Sequence, residues 1–154
     1  MIGPTHLYRI ARSLHRLKVP VLPRCLDYLN RLIFACWIPH SALLGKNLIL
    51  GYGALGIVIH DTARIGDNVH IDQGVTIGGN ATQRGAPRIG NHVYIGAGAK
   101  ILGPISIGDG SVIGANAVVV RDVPPRSLVV GIPGRVLRNE IDIASFLYHQ
   151  RSQT

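Results

Sequence analysis

At 154 residues, 47% hydrophobic and 16% charged, the chain has the length for one packed domain and is too apolar to be disordered. Its net charge of +8 asks for an anionic partner, a phosphorylated small molecule or an acidic membrane surface ahead of nucleic acid, because aromatics are only 5% and no basic surface interleaved with stacking rings is visible. Cys25 and Cys36 form no CxxC pair, which points away from zinc and disulfides and fits a reduced, cytoplasmic setting; there is neither a usable secretory signal nor a spanning apolar run.

The first element is an amphipathic basic helix over Thr5 to about Lys18, where Leu7, Ile10, Ala11, Leu14 and Leu17 recur at three and four residues among Arg9, Arg12, His15, Arg16 and Lys18. Pro20 and Pro23 break it, and Leu26, Leu29, Leu32 and Ile33 resume a helical pattern toward Pro39. This pair either packs on the rest of the domain or on a neighbouring subunit, or sets its basic face on anionic lipid at the inner face of a membrane.

Past Pro39 the period becomes six. Ile59, Ile65, Ile71, Ile77, Ile89, Ile95, Ile101, Ile107 and Ile113 mark it and Val119 continues it; four residues after many of them stands Ala63, Val69, Val75, Val93, Ala99, Ser111 or Ala117. Such a period suits a coil of short strands and tight corners, with β-branched residues in the strands and glycine at the corners. Gly66, Gly78, Gly90, Gly96, Gly108 and Gly114 follow the isoleucine, and His60 stands in that slot after Ile59. The expected fold is an all-β solenoid with a short helical N-terminal segment: helices over 1–38, coil over 39–138 with a loop extruded at 80–88, and a tail over 139–154.

The phrases DNVHIDQGVTIGG, RIGNHVYIGAGAKILG and VVGIPGRVL, in that order, resemble the hexapeptide-repeat acyltransferases, in particular serine O-acetyltransferases and the related acetyltransferases of polysaccharide biosynthesis, over roughly residues 38 to 138. The resemblance implies a left-handed parallel β-helix, a homotrimer with active sites between neighbouring prisms, and acetyl transfer from acetyl-CoA to a hydroxyl. It also implies that Ala97, Gly98 and Ala99 let pantetheine lie along the coil, that Lys100 meets phosphate, and that Arg135 and Arg138 lie near the nucleotide; solvated surface charge is the other reading of these three. In the loop, Arg84 and Arg88 are weaker candidates.

The chain departs from the serine enzymes where they keep an aspartate and a histidine, in phrases of the form D-I-H-P and D-H-x-x-G. Here Trp37 takes the aspartate position and Tyr52 lies nearest the histidine, the loop histidine is missing, and the long N-terminal helical domain is replaced by fewer than forty residues. A saccharide or sugar-linked acceptor is therefore expected, with serine acetylation by an altered dyad as one alternative and a non-catalytic trimeric scaffold as another.

An acceptor hydroxyl still needs a base with a pKa near neutrality. His60 is the expected one, with His70 as the alternative and no histidine base as the third; His6, His15, His40, His92 and His149 read as helix, corner or tail residues. Asp61 or Asp72 would orient an imidazole, Tyr52 or His70 would touch the acceptor, and amides near Gly78 and Gly79 would hold the oxyanion. No metal is expected: a zinc-dependent carbonic anhydrase on this fold would need converging histidines, commonly with an H-x4-H pair, which His60, His70 and His92 do not supply.

Overall fold

The computed structural model describes residues 3–147. Helix α1 spans Pro4–Arg16 and α2 spans Leu22–Phe34, each with a proline in its first turn, where the missing N–H costs no hydrogen bond. The Asn30 amide donates to the Pro4 carbonyl at 3.1 Å, tying the end of α2 to the start of α1, so the two run antiparallel.

The helical pair docks on the start of the coil through Tyr8 and Asp27, but the periodic leucines of α2 do not form its packed face. The helix buries Pro23, Asp27 and Asn30, while Leu29, Leu32 and Ile33 are 40, 82 and 59% exposed. Asp27 accepts the His40 amide at 3.0 Å and the Asn30 Nδ2 donates to the Pro4 carbonyl, which offsets most of the desolvation cost of these groups, while the buried Asn30 Oδ1 has no partner among the described residues.

From Trp37 onward, strands of two to four residues stack into three faces. The first face is Leu43–Leu44, Arg64–Ile65, Arg88–Ile89 and Ser106–Ile107. The second is Ile49–Leu50, His70–Ile71, Tyr94–Ile95, Val112–Ile113 and Leu128–Val130, closed by the antiparallel strand Arg135–Arg138. The third is Val58–Ile59, Thr76–Gly78, Lys100–Leu102 and Val118–Val119, which Trp37 extends by one bridge to Val58. Apart from the closing strand all pairing is parallel, with Ile59, Ile77, Ile101 and Val119 in register. The nine isoleucines of the six-residue series are buried, as are Ala63, Val69, Val75, Val93, Ala99, Ser111 and Ala117. Each such isoleucine contributes about 1.5–3 kcal/mol, so the inward column holds the solenoid together.

The three corners between the faces are not equivalent. At the first corner, Gly45, Gly66, Gly90 and Gly108 each lie under the backbone of the next coil. A Cβ on Gly66 would sit 2.6 Å from the Gly90 carbonyl oxygen, and Asp67, Asn91 and Asp109 each accept an amide from the coil before at 2.7 to 2.8 Å. The left-handed residue there is Asn47, Asn68, His92 or Gly110 in successive coils, which makes His92 a turn residue. At the third corner, the residues following the inward position are His60, Gly78, Leu102 and Val120, and a Cβ on Gly78 would meet only ordinary contacts at 3.5 and 3.7 Å. His60 therefore does not replace an obligatory glycine; its corner accepts a side chain.

Candidate functional site

The third corner is where the helices, the coil and two histidines meet. Pro39, His40 and Ser41 form its first turn, His60 and Asp61 its second, and Gly78 the start of its third. With Arg24 and Asp27 of α2, and with Trp37, they line a cleft of about 540 Å³.

His60 Nδ1 lies 2.7 Å from Asp61 Oδ1, and the Thr62 amide approaches the same nitrogen at 3.2 Å. A protonated Nδ1 donates to the carboxylate and leaves the Nε2 lone pair free; an unprotonated one accepts from Thr62. The charged acceptor makes the stronger bond and favours the first tautomer. Nε2 lies on the Gly79 side of the ring, 3.8 Å from where a Gly79 Cβ would stand. The pair is open to water, with His60 39% and Asp61 62% exposed, so the carboxylate orients the ring more than it stabilises the fold.

A second imidazole held by a carboxylate faces the same cleft, and the sequence pattern had treated it as a corner residue. His40 Nδ1 is 2.6 Å from Asp27 Oδ2, and the other carboxylate oxygen accepts the His40 amide. Asp27 is only 3% exposed; burial pushes its pKa up while the bond to His40 opposes that rise. The His15 ring packs 4.7 Å from His40. Nothing periodic marks Asp27, which interrupts an apolar helical pattern and reads as solvent-facing until the hairpin is folded.

His70 and Asp72 form another group at the second corner. Asp72 occupies the slot that holds glycine in the coils on either side, Gly51 and Gly96, and a Cβ on Gly51 would stand 2.8 Å from Asp72 Oδ1. Asp72 Oδ1 is 3.1 Å from His70 Nε2, and Asp72 Oδ2 accepts the Tyr94 hydroxyl at 2.6 Å. Burial first, and then this carboxylate, push the Tyr94 pKa up to about 12, so the phenol remains a donor. His70 thus spends its Nε2 on Asp72 and is half-buried, not freely exposed on the wall as its slot suggested. Each aspartate put forward as an orienting group does contact a histidine: Asp61 meets His60, and Asp72 meets His70.

The other candidates divide between the two edges of the third face. Gly78 and Gly79 lie at the third corner, beside His60. Ala97, Gly98 and Ala99 lie at the second corner, and Lys100 follows on the third face with its ammonium donating to the Gly74 carbonyl at 2.6 Å. The Ala99 side chain is fully buried, as its place in the six-residue series predicts, so only its backbone could meet a ligand. Tyr52, 83% exposed and in the left-handed region, is also at the second corner and does not line the cleft of His60. Arg135 and Arg138 are exposed on the closing strand, Arg138 over the Phe146 ring at 5.9 Å. Arg84 is exposed in the loop and Arg88 on the first face; His149 lies outside the described residues. Among the described residues, no three His, Cys, Asp or Glu side chains converge as a metal site.

Residues 86–121 match the family described as bacterial transferase hexapeptide (six repeats). The chain is 47% identical over 132 residues to a serine acetyltransferase of Synechococcus elongatus, an alignment covering 84% of the chain and 54% of the relative. It is 41% identical over 146 residues to a serine acetyltransferase of Bacillus pumilus, covering 93% and 67%. The solved serine acetyltransferase of Brucella abortus in complex with coenzyme A superposes with a TM-score of 0.84 at 38% identity, covering 88% of this chain and 54% of that one. The chain thus spans between about half and two-thirds of the length of these relatives.

Proposed function

This chain belongs to the serine acetyltransferase family of hexapeptide-repeat proteins, and we propose that it transfers an acetyl group from acetyl-CoA to a small hydroxyl acceptor, with His60 as general base. The observation that carries the reading is an imidazole held at Nδ1 by Asp61, with Nε2 turned toward Gly79 over an open cleft. His60 Nε2 takes the proton as the hydroxyl oxygen attacks the thioester carbon, the C–S bond breaks, and the proton passes to the departing thiolate. Backbone amides near Gly78 and Gly79, beside His60, would meet the developing oxyanion.

The acceptor named by the relatives is serine, and serine is the first reading for this chain. The saccharide expected from the sequence has no counterpart among those names. The sequence resemblance keeps it as a second reading, since it implies that Trp37 and Tyr52 stand where the serine enzymes keep their aspartate and histidine, and the exposed Tyr52 ring would serve as a platform for a sugar.

Acetyl-CoA fits the residues present. Gly78 and Gly79 present no side chain beside His60, the half-buried Ala97 and Gly98 present at most a methyl group at the second corner, and Lys100, Arg135 and Arg138 supply cations for its phosphates. In a homotrimer of the kind the family resemblance implies, with sites between neighbouring prisms, Tyr52 of one copy could share a site with His60 of the next.

Thiol release from acetyl-CoA, followed with L-serine and with nucleotide-activated sugars, tests the reading. Acceptor-dependent release that falls about 10²–10⁴-fold in His60→Ala supports it. Release indifferent to every acceptor would remove the transferase reading, and failure to bind CoA would leave the scaffold alternative.

A further inference from the structure

We propose that the α1–α2 hairpin is a docking surface for an anionic phospholipid bilayer. The two helices leave a ridge of apolar side chains in solvent: Ile10 is 51% exposed, Leu17 74%, Leu22 47%, Leu29 40%, Leu32 82% and Ile33 59%. Their spacing puts Ile10 and the capping residue Leu17 on one side of α1 and its end, and the other four on one stripe of α2. On each helix the stripe lies away from the residues that pack below, Pro4, Tyr8 and Ala11 on α1 and Pro23, Asp27 and Asn30 on α2.

Charge selects the occupant. Residues 3–34 hold six cationic side chains and a single acid, Asp27, which is buried. Arg9, Arg12 and Arg16 line the groove between α1 and the first face, beside Leu43 and Leu48. Arg24 and Arg31 line the clefts between α2 and the third face, beside Trp37 and Val58. The ridge is therefore bordered by arginines along both flanks; the exposed carboxylate that shares a cleft with them, Asp61 opposite Arg24, is paired with His60, so the hairpin surface keeps its positive charge. A second copy seated ridge to ridge would bring like charges together, whereas an anionic lipid surface accepts both the apolar ridge and its cationic borders. Neither helix is long and apolar enough to cross a membrane, so the hairpin would lie in the interface plane.

Co-sedimentation of the full chain tests this, using phosphatidylcholine vesicles with and without about 30% phosphatidylglycerol. The protein should pellet with the anionic vesicles only, release as salt is raised, and lose about tenfold or more of its binding in Leu32→Asp/Ile33→Asp. Arg9→Glu/Arg16→Glu, which leaves the ridge intact, should weaken binding as well. Both variants should keep the thermal transition and CoA binding of the parent chain, which separates failure of this surface from failure of the acetyl-transfer reading. Equal binding to neutral vesicles, or binding to neither, would overturn the proposal. So would a lipid-free particle that halves in mass in Leu32→Asp/Ile33→Asp, since a second copy would then own the ridge.

Discussion

The first and third corners of the solenoid are built from the same repeat and do opposite things. At the first, glycine in every coil lets the next coil close over it, and Asp67, Asn91 and Asp109 lace the coils together through backbone amides. At the third, successive coils carry His60, Gly78, Leu102 and Val120, so side chains differ from turn to turn without disturbing the stack. A repeat protein keeps its architecture in the corners that cannot vary, and has room for chemistry in the one that can.

The sharpest way to break that contrast is through activity. His60→Ala should leave the urea midpoint of unfolding close to the parent value, because the ring is 39% exposed, while acceptor-dependent kcat/KM falls about 10²–10⁴-fold. An equal loss in stability would mean that His60 belongs to the architecture.

Next comes the pair Gly66→Ala and Gly78→Ala. The new methyl at 66 would press on backbone 2.6 Å away, and overpacking of this kind costs about 1–3 kcal/mol. At Gly78 it would find ordinary contact distances, so the urea midpoint should move far less. Equal shifts at the two positions would erase the distinction between the corners.

A smaller effect should appear in the pH dependence of stability. Burial raises the pKa of Asp27 above its unfolded value, so its favourable contribution is complete below the ordinary aspartate range and is lost as pH rises through the raised folded value. Urea unfolding of Asp27→Asn should lack that decline, and the difference between parent and variant should change across this interval. A constant difference from acid to neutral pH would show that the Asp27 pKa is the same in the folded and unfolded chain, and that burial does not raise it.

The smallest effect concerns the two cysteines, Cys25 in the first turn of α2 and Cys36 where the hairpin joins the coil. Burial pushes the Cys36 thiol up to about 11, whereas Cys25 is exposed, so a thiol reagent at neutral pH should label Cys25 in the native protein and Cys36 only after denaturant is added. Rapid labelling of both would mean that the junction opens readily.

The solenoid was legible because its period is a local property. A buried isoleucine every six residues states where each inward position lies, and the structure places Ile59, Ile65, Ile71 and their successors in that column. The third-corner site was legible only in part. His60 drew notice as a break in a glycine series, but the reason it is allowed there is the spacing between coils, which no single repeat records. Asp27 and His40 were missed as a pair because they are thirteen residues apart on different elements, and only the docking of α2 onto the start of the coil brings carboxylate and imidazole to 2.6 Å.

By itself the sequence determined a coil of short strands, two basic helices ahead of it, and a small set of histidines and aspartates from which a base could be drawn. Tertiary structure decided which aspartate meets which histidine, that the polar side of α2 faces inward, and that Tyr52 and His60 lie on different corners of the prism. The physical reason is that burial periodicity is written residue by residue, whereas contact between corners depends on how coils stack and helices dock.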